Sequence, residues 1–272
     1  MIKVKEIKVN NFITESKLPD ADFVINPYIG CPHKCIYCYA EFMKRFTNHN
    51  EDWGDFLDVK ISEKPLNKNK ISGKTVLFGS VTDPYNSFEK KYRITRNILE
   101  QLVGCDSNVE ILTKSDLVLR DLDLLSKIEN IRVGISMNTL DDTFRKSIEP
   151  HASSIDKRIN ALKELRNHRI NTYLFMSPMF PAITAFKEII IRTAGYVDMY
   201  CFENLNLRGG YLPRVLNYIE QFHPNLIELY HEIYKNKNMD YWLNLENQIR
   251  LYCNEKNLNY KIYFYHEKIK KA

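Results

Sequence analysis

Three cysteines within one short loop constrain this chain more than any other feature. Cys31, Cys35 and Cys38 stand in the run Asn26-Pro-Tyr-Ile-Gly-Cys-Pro-His-Lys-Cys-Ile-Tyr-Cys-Tyr-Ala40, spaced C-x3-C-x2-C. That spacing gathers three thiolates, enough for three corners of a cubane iron–sulfur cluster, whose irons are held by cysteine thiolates. Three ligands for four irons leave one iron open to a substrate or cofactor. A structural zinc ion wants four closed ligands, usually as two separated pairs. No second C-x2-C follows; Cys105, Cys201 and Cys253 stand alone, and His33 sits awkwardly inside the tight loop as a fourth ligand. A disulfide framework belongs to small secreted chains. The chain opens Met-Ile-Lys-Val-Lys-Glu with no apolar signal region, which predicts a cytoplasmic protein with reduced thiols.

The 272 residues suffice for a substantial core and are compatible with one α/β domain. Hydrophobic residues at 44% and charged residues at 27% describe an ordinary globular chain, and no run reaches the ~18 apolar residues of a membrane span. The net charge of +5 is compatible with polyanion binding but is spread along the chain, as a solvated lysine-rich surface would also be.

Short apolar runs alternate with helical patterns. Strands are expected at 22–27, 75–78, 109–113, 131–136, 171–176 and 196–202, and helices follow at 39–46, 93–103, 119–128, 155–165 and 182–193. In the second helix Ile94, Ile98, Leu99 and Leu102 share one face. Such alternation predicts a parallel sheet with helices outside, closed in part as a barrel or left open. Residues 206–272 read as an extension packed on the same domain, with helices near 213–221, 224–234 and 242–255 and a last strand, Tyr260–Tyr265. Functional groups in parallel α/β folds gather at the carboxyl ends of the strands, so the cysteine loop, following the first strand, marks the mouth.

The cysteine spacing, with an aromatic residue before the last cysteine, resembles the signature of the radical S-adenosylmethionine (radical SAM) enzymes. Neighbouring stretches resemble the spore photoproduct lyase-like branch, often labelled "DNA repair photolyase": Ser80-Val-Thr-Asp-Pro-Tyr85, Ile111-Leu-Thr-Lys-Ser-Asp116, and Glu149-Pro150 ahead of Arg158. The resemblance covers most of residues 20 to 180. It implies a partial (β/α)6 TIM-type barrel, core about 22–205, with a C-terminal α+β extension. It also implies a [4Fe–4S] cluster on Cys31, Cys35 and Cys38, and S-adenosylmethionine cleaved there to a 5′-deoxyadenosyl radical that takes a hydrogen atom from a substrate. A reductase or a flavodoxin- or ferredoxin-type protein would supply the electron.

The same resemblance suggests roles at the strand ends. Thr82 and Asp83 offer a hydroxyl and a carboxylate to the cofactor ammonium; the plainer reading of Thr-Asp-Pro is a turn or helix start. Lys114 is matched to the cofactor carboxylate, with a salt bridge to Asp116 or Asp83 as the plainer reading. Ser136 is matched to the ribose, Tyr37 would lie against the adenine, and Met176 would wall it from the other side. Tyr37 and Tyr39 match the lyase's radical-relay tyrosines, though packing or stacking also accounts for them. Phe175 reads as core.

Two departures narrow the implied reaction. Spore photoproduct lyase uses a cysteine near the end of its second strand as a hydrogen donor, where this chain has Phe78-Gly-Ser-Val-Thr-Asp83 and no thiol. Thymine-dimer reversal is therefore not expected. After the sixth strand, Phe202-Glu-Asn-Leu-Asn-Leu-Arg-Gly-Gly-Tyr211 offers Glu203, Asn204, Asn206 and Arg208 as a substrate-reading set, or as a capped helix start. Cys201 is a further thiol, of a type more often buried and inert. Nucleic acid leads as the substrate class. A peptide, protein or small metabolite is the alternative, and a metal-binding nucleic-acid module without catalysis is the reading from another class.

Overall fold

The structure, a computed structural model, describes residues 1–264. Strands β1 (Lys3–Lys8), β2 (Ile13–Glu15), β3 (Phe23–Ile25) and β4 (Tyr28–Ile29) lead into the cysteine loop. They are followed by β5 (Phe56–Ile61), β6 (Thr75–Phe78), β7 (Asn108–Thr113), β8 (Ile131–Ser136), β9 (Asn171–Met179), β10 (Met199–Asn204) and β11 (Tyr260–Ile262). All six expected strands form. β3, β6, β7, β8, β9, β10 and β11 pair in that order, every pair parallel, and β2 adds antiparallel to β3 at the far edge. The result is a partial TIM-type barrel that does not close.

The expected helices cover the outside because their apolar spacing has the period of a helix. Ile94–Leu102 buries Ile94, Ile98, Leu99 and Leu102 as anticipated, and Ile155–Asn167 buries Ile155, Ile159, Leu162 and Leu165. The segment Tyr39–Phe46 is a 3₁₀ helix, and the single helix expected at 119–128 divides into a 3₁₀ turn, Asp116–Asp121, and a short α-helix, Leu122–Leu125. Ser115 initiates it by accepting the Leu117 N–H at 3.2 Å. The C-terminal helices Tyr211–Phe222, Ile227–Tyr234 and Asp240–Glu255 also form.

The last strand departs from expectation. Expected in an extension packed on the barrel, it joins the barrel sheet itself: β11 pairs in parallel with β10 and becomes the seventh parallel strand. Residue 265, its expected end, lies outside the described residues. Across the open seam, Asp20 accepts from Tyr263 at 2.6 Å and from Lys261 at 3.1 Å, so side chains bridge what backbone pairing leaves open. Burial alone would raise the Asp20 carboxyl, but these two partners outweigh it and hold the group below the usual carboxylate range.

A second sheet of three strands, β1-β5-β4, has no counterpart in the sequence expectations. Its β4–β5 pairing carries the chain into the cysteine loop through Gly30, at φ +91°. A Cβ there would overlap the Phe56 carbonyl, so the close approach of the loop to β5 requires glycine.

Candidate active site

The cysteine loop turns tightly. Cys31 accepts the Lys34 N–H at 3.4 Å and Cys35 accepts the Cys38 N–H at 3.2 Å, and all three cysteines line one cavity of about 1220 Å³. The loop is stapled to three neighbours. Thr82 donates its hydroxyl to Gly30 at 2.7 Å, Ile36 N–H donates to Ile148 at 3.0 Å, and His151 N–H donates to His33 at 3.4 Å. Trp53 donates its indole N–H to Cys38 Sγ at 3.2 Å.

Burial pushes the Cys31 thiol up to about 12 and raises Cys35 and Cys38 as well, so bare thiolates are unfavourable here. A cationic metal centre would reverse that balance, because coordination requires and stabilises the thiolate. Among the described residues no three His, Cys, Asp or Glu side chains converge as they would on a single metal ion. A cluster presents each thiol with its own iron, and three cysteines lining one cavity suit that donor set.

The strand ends complete the cavity. Tyr37, Tyr39, Thr82, Asp83, Lys114 and Ser136 all line it, as do Glu203, Asn204, Asn206 and Arg208. Met176 does not. It is fully buried on the outer side of β9, while Tyr173, Phe175 and Ser177 line the cavity. Side chains alternate along a strand, so moving one residue changes the face. Phe175, expected in the core, therefore occupies the inner face that Met176 was expected to offer.

The groups differ in what remains free. Both oxygens of Asp83 are already engaged. Oδ1 accepts from Tyr85 N–H at 2.8 Å and from the Thr113 hydroxyl at 2.6 Å; Oδ2 accepts from Lys114 N–H at 2.7 Å and lies 3.4 Å from His33 Nδ1. In this geometry Asp83 knots the ends of β6 and β7 to the cysteine loop, as a Thr-Asp-Pro turn would. Burial lowers His33, which disfavours its charged form. Ser136 keeps its hydroxyl near the Ser177 carbonyl, at 3.2 Å.

Lys114 offers a cation to the cavity. Its ammonium makes no ion pair among the described residues and lies 5.9 Å from the Tyr37 ring centre. Burial would lower it, but the acidic groups around it, Glu149 foremost, outweigh burial and hold it protonated. Glu149 is itself fully buried, accepting from the Tyr37 hydroxyl and from Arg158. Arg158 also donates to Ser136 and Ser153, each at 2.9 Å, and Ser153 N–H donates to Lys114 at 3.1 Å. One buried ion pair thus ties the cysteine loop to the ends of β7 and β8. The sequence showed Glu149 and Arg158 as motif members without a role; Tyr37, whose hydroxyl Glu149 accepts, is distant in sequence.

At the rim, Tyr39 donates to the Ser80 carbonyl and is 53% exposed. Arg214 pairs with Glu41 at 2.7 Å and holds the helix Tyr211–Phe222 against the helix that follows the cysteines. On the β10 side, Ser177 donates to Glu203, and Arg208 Nε donates to Asn206 at 3.0 Å.

The family model described as the radical SAM superfamily matches residues 25–190. An uncharacterized protein of Methanocaldococcus jannaschii is 41% identical over 229 residues, which span 84% of this chain and 86% of that protein. Among solved structures, spore photoproduct lyase with bound S-adenosylmethionine and dinucleoside spore photoproduct superposes with a TM-score of 0.61 at 16% identity. That match covers 81% of this chain and 66% of the lyase, so the chain spans just under two thirds of the lyase's length. SuiB of Streptococcus suis, bound to the precursor peptide SuiA, superposes with a TM-score of 0.53 at 17% identity, over 88% of this chain and 47% of SuiB. At these identities the two structures establish the fold.

Proposed function

The chain belongs to the radical SAM superfamily, and from that premise we propose that it is a radical SAM enzyme acting on a nucleic acid. Membership brings a [4Fe–4S] cluster and S-adenosylmethionine as cofactors. When bound, they supply a 5′-deoxyadenosyl radical that takes a hydrogen atom from the substrate. The observation that carries the reading is the single cavity shared by Cys31, Cys35, Cys38, Lys114 and Ser136.

On this reading Cys31, Cys35 and Cys38 would hold the cluster, and Lys114 would pair with the cofactor carboxylate, since its ammonium makes no ion pair among the described residues. Ser136 would face the ribose and Tyr37, fixed by Glu149, the adenine. Asp83 would act by orienting Lys114 and His33 rather than by offering a free oxygen. Phe175 replaces Met176 as the β9 side chain against the ligands. Glu203, Asn204, Asn206 and Arg208 would meet the substrate at the rim, and a flavodoxin- or ferredoxin-type donor would deliver the electron.

Support for nucleic acid comes from the dinucleoside in spore photoproduct lyase and from the chain's basic balance. The absent thiol at Ser80 and Val81 argues for a reaction other than dimer reversal. The peptide bound to SuiB favours a peptide as the second reading. Among the described residues no helix is long and apolar enough to cross a membrane.

Anaerobic reconstitution with iron and sulfide, followed by reductant and S-adenosylmethionine, tests the enzyme reading through release of 5′-deoxyadenosine. No cluster, or a cluster that releases none, defeats it. Salt-dependent oligonucleotide binding tests the substrate class, because phosphate contacts release counterions; absence of binding at low salt favours the peptide.

A further inference from the structure

Deeper in the barrel lies a polar layer that the assignments above leave without a task. Glu110 of β7 and Arg132 of β8 are cross-strand partners, and both face the cavity and pair with each other. Tyr173 of β9 lies beside them, its ring centre 5.2 Å from the Arg132 guanidinium and its hydroxyl donating to the Ile111 carbonyl at 3.2 Å. The ring occupies the space over Gly134, where any Cβ would overlap it, so glycine at that position is what lets the tyrosine lie across the barrel. Above this floor, Phe175 and Tyr263 line the cavity edge to face, 5.7 Å apart.

An ion pair inside a barrel is weak evidence for stability, because desolvation offsets much of its attraction. This pair is also incompletely used. Glu110 engages Arg132 through one carboxylate oxygen, and neither its other oxygen nor Arg132 Nε makes a hydrogen bond among the described residues. An acceptor and a donor therefore stand together between aromatic walls. The opposite charges disfavour a lone phosphate and a lone cation alike. What fits is a flat neutral group carrying donors and acceptors along one edge.

We propose that Glu110, Arg132 and Tyr173 form a base-reading floor, to which a nucleobase swung out of a single strand presents its hydrogen-bonding edge. The inference rests on the nucleic-acid reading and adds to it the part of the substrate that enters. Enzymes that act on bases read an extruded base by its edge and by stacking against aromatic side chains, and carboxylate and guanidinium groups are the side chains that pair with base edges.

The test compares labelled single-stranded oligothymidylate, oligodeoxycytidylate, oligodeoxyadenylate and an abasic strand of equal length, binding at low salt to the full chain and to Glu110→Gln. The wild type should prefer one base over the abasic strand by about tenfold or more. Glu110→Gln should remove most of that preference while leaving abasic affinity within about twofold, since phosphate contacts lie elsewhere. Glu110→Gln/Arg132→Met removes both charges together, leaves neither partner as an unpaired ion, and carries the test if the single variant unfolds. Equal base preference in variant and wild type, or strands that bind without preference, overturns the floor and leaves the nucleic-acid reading intact. Failure of every strand to bind overturns both.

Discussion

Arg158 donates to the carboxylate of Glu149, and neither side chain has any exposure to solvent. The same carboxylate receives the Tyr37 hydroxyl from within the cysteine loop. Removing one member of such a pair leaves a buried charge unpaired, which typically costs about 3–5 kcal/mol. Arg158→Met should lower unfolding free energy by about that amount in urea titrations. Arg158→Met/Glu149→Gln should recover part of the loss, and a loss below about 1 kcal/mol in the single variant would show that the pair is not holding the site together.

Cluster assembly separates the cysteines by place in the fold. Cys35→Ala should abolish stable iron binding after anaerobic reconstitution. Cys253, buried in the helix Asp240–Glu255 and absent from the cavity lining, should tolerate alanine without iron loss. Equal iron loss in both variants would refute the ligand set.

Lys114 faces the cavity as a protonated amine without an ion-pair partner among the described residues. Lys114→Met should keep the iron content of the wild type and weaken S-adenosylmethionine binding about tenfold, as loss of a charge-assisted contact of 1.5–3 kcal/mol predicts at its lower end. Titration calorimetry on the reconstituted protein reads this directly; unchanged affinity would remove Lys114 from the cofactor site.

Lys60 supplies a pH dependence away from the cavity. Its backbone N–H donates to the Pro27 carbonyl at 3.1 Å, and burial lowers its amine to about 8. Between about pH 8 and the unfolded value near 10.4, the unfolded chain holds more protons than the folded one. Stability should therefore rise with pH across that window, and the penalty, at most about 3 kcal/mol, is fully present below it. Lys60→Met should flatten the rise and raise stability at pH 7 in denaturant titrations.

Alternation alone allowed either a partial barrel or an open sheet, and the family resemblance favoured the barrel, but the six strands themselves were readable because each is a short apolar run. The sheet β1-β5-β4 was not. Its strands come from residues 3–8, 28–29 and 56–61, and nothing local in the first announces a partner some fifty residues away. Phe175 and Met176 show the same limit at one residue's scale. Both are apolar, and only the register of β9 against β8 and β10 decides which faces the cavity.

By itself the sequence determined that three thiols share one short loop, because C-x3-C-x2-C is a covalent constraint that no packing can undo. It also placed Thr82, Asp83, Lys114 and Ser136 at strand ends that a parallel sheet must bring to one mouth. Tertiary structure alone decided which of those groups stay available. Asp83 spends its carboxylate on Tyr85, Thr113 and Lys114, whereas the Lys114 ammonium makes no ion pair among the described residues, and Glu149 reaches Tyr37 from the segment packed on the cysteine loop. Hydrogen-bond capacity is consumed by whichever donors come within about 3 Å, and those donors are fixed by the folded chain.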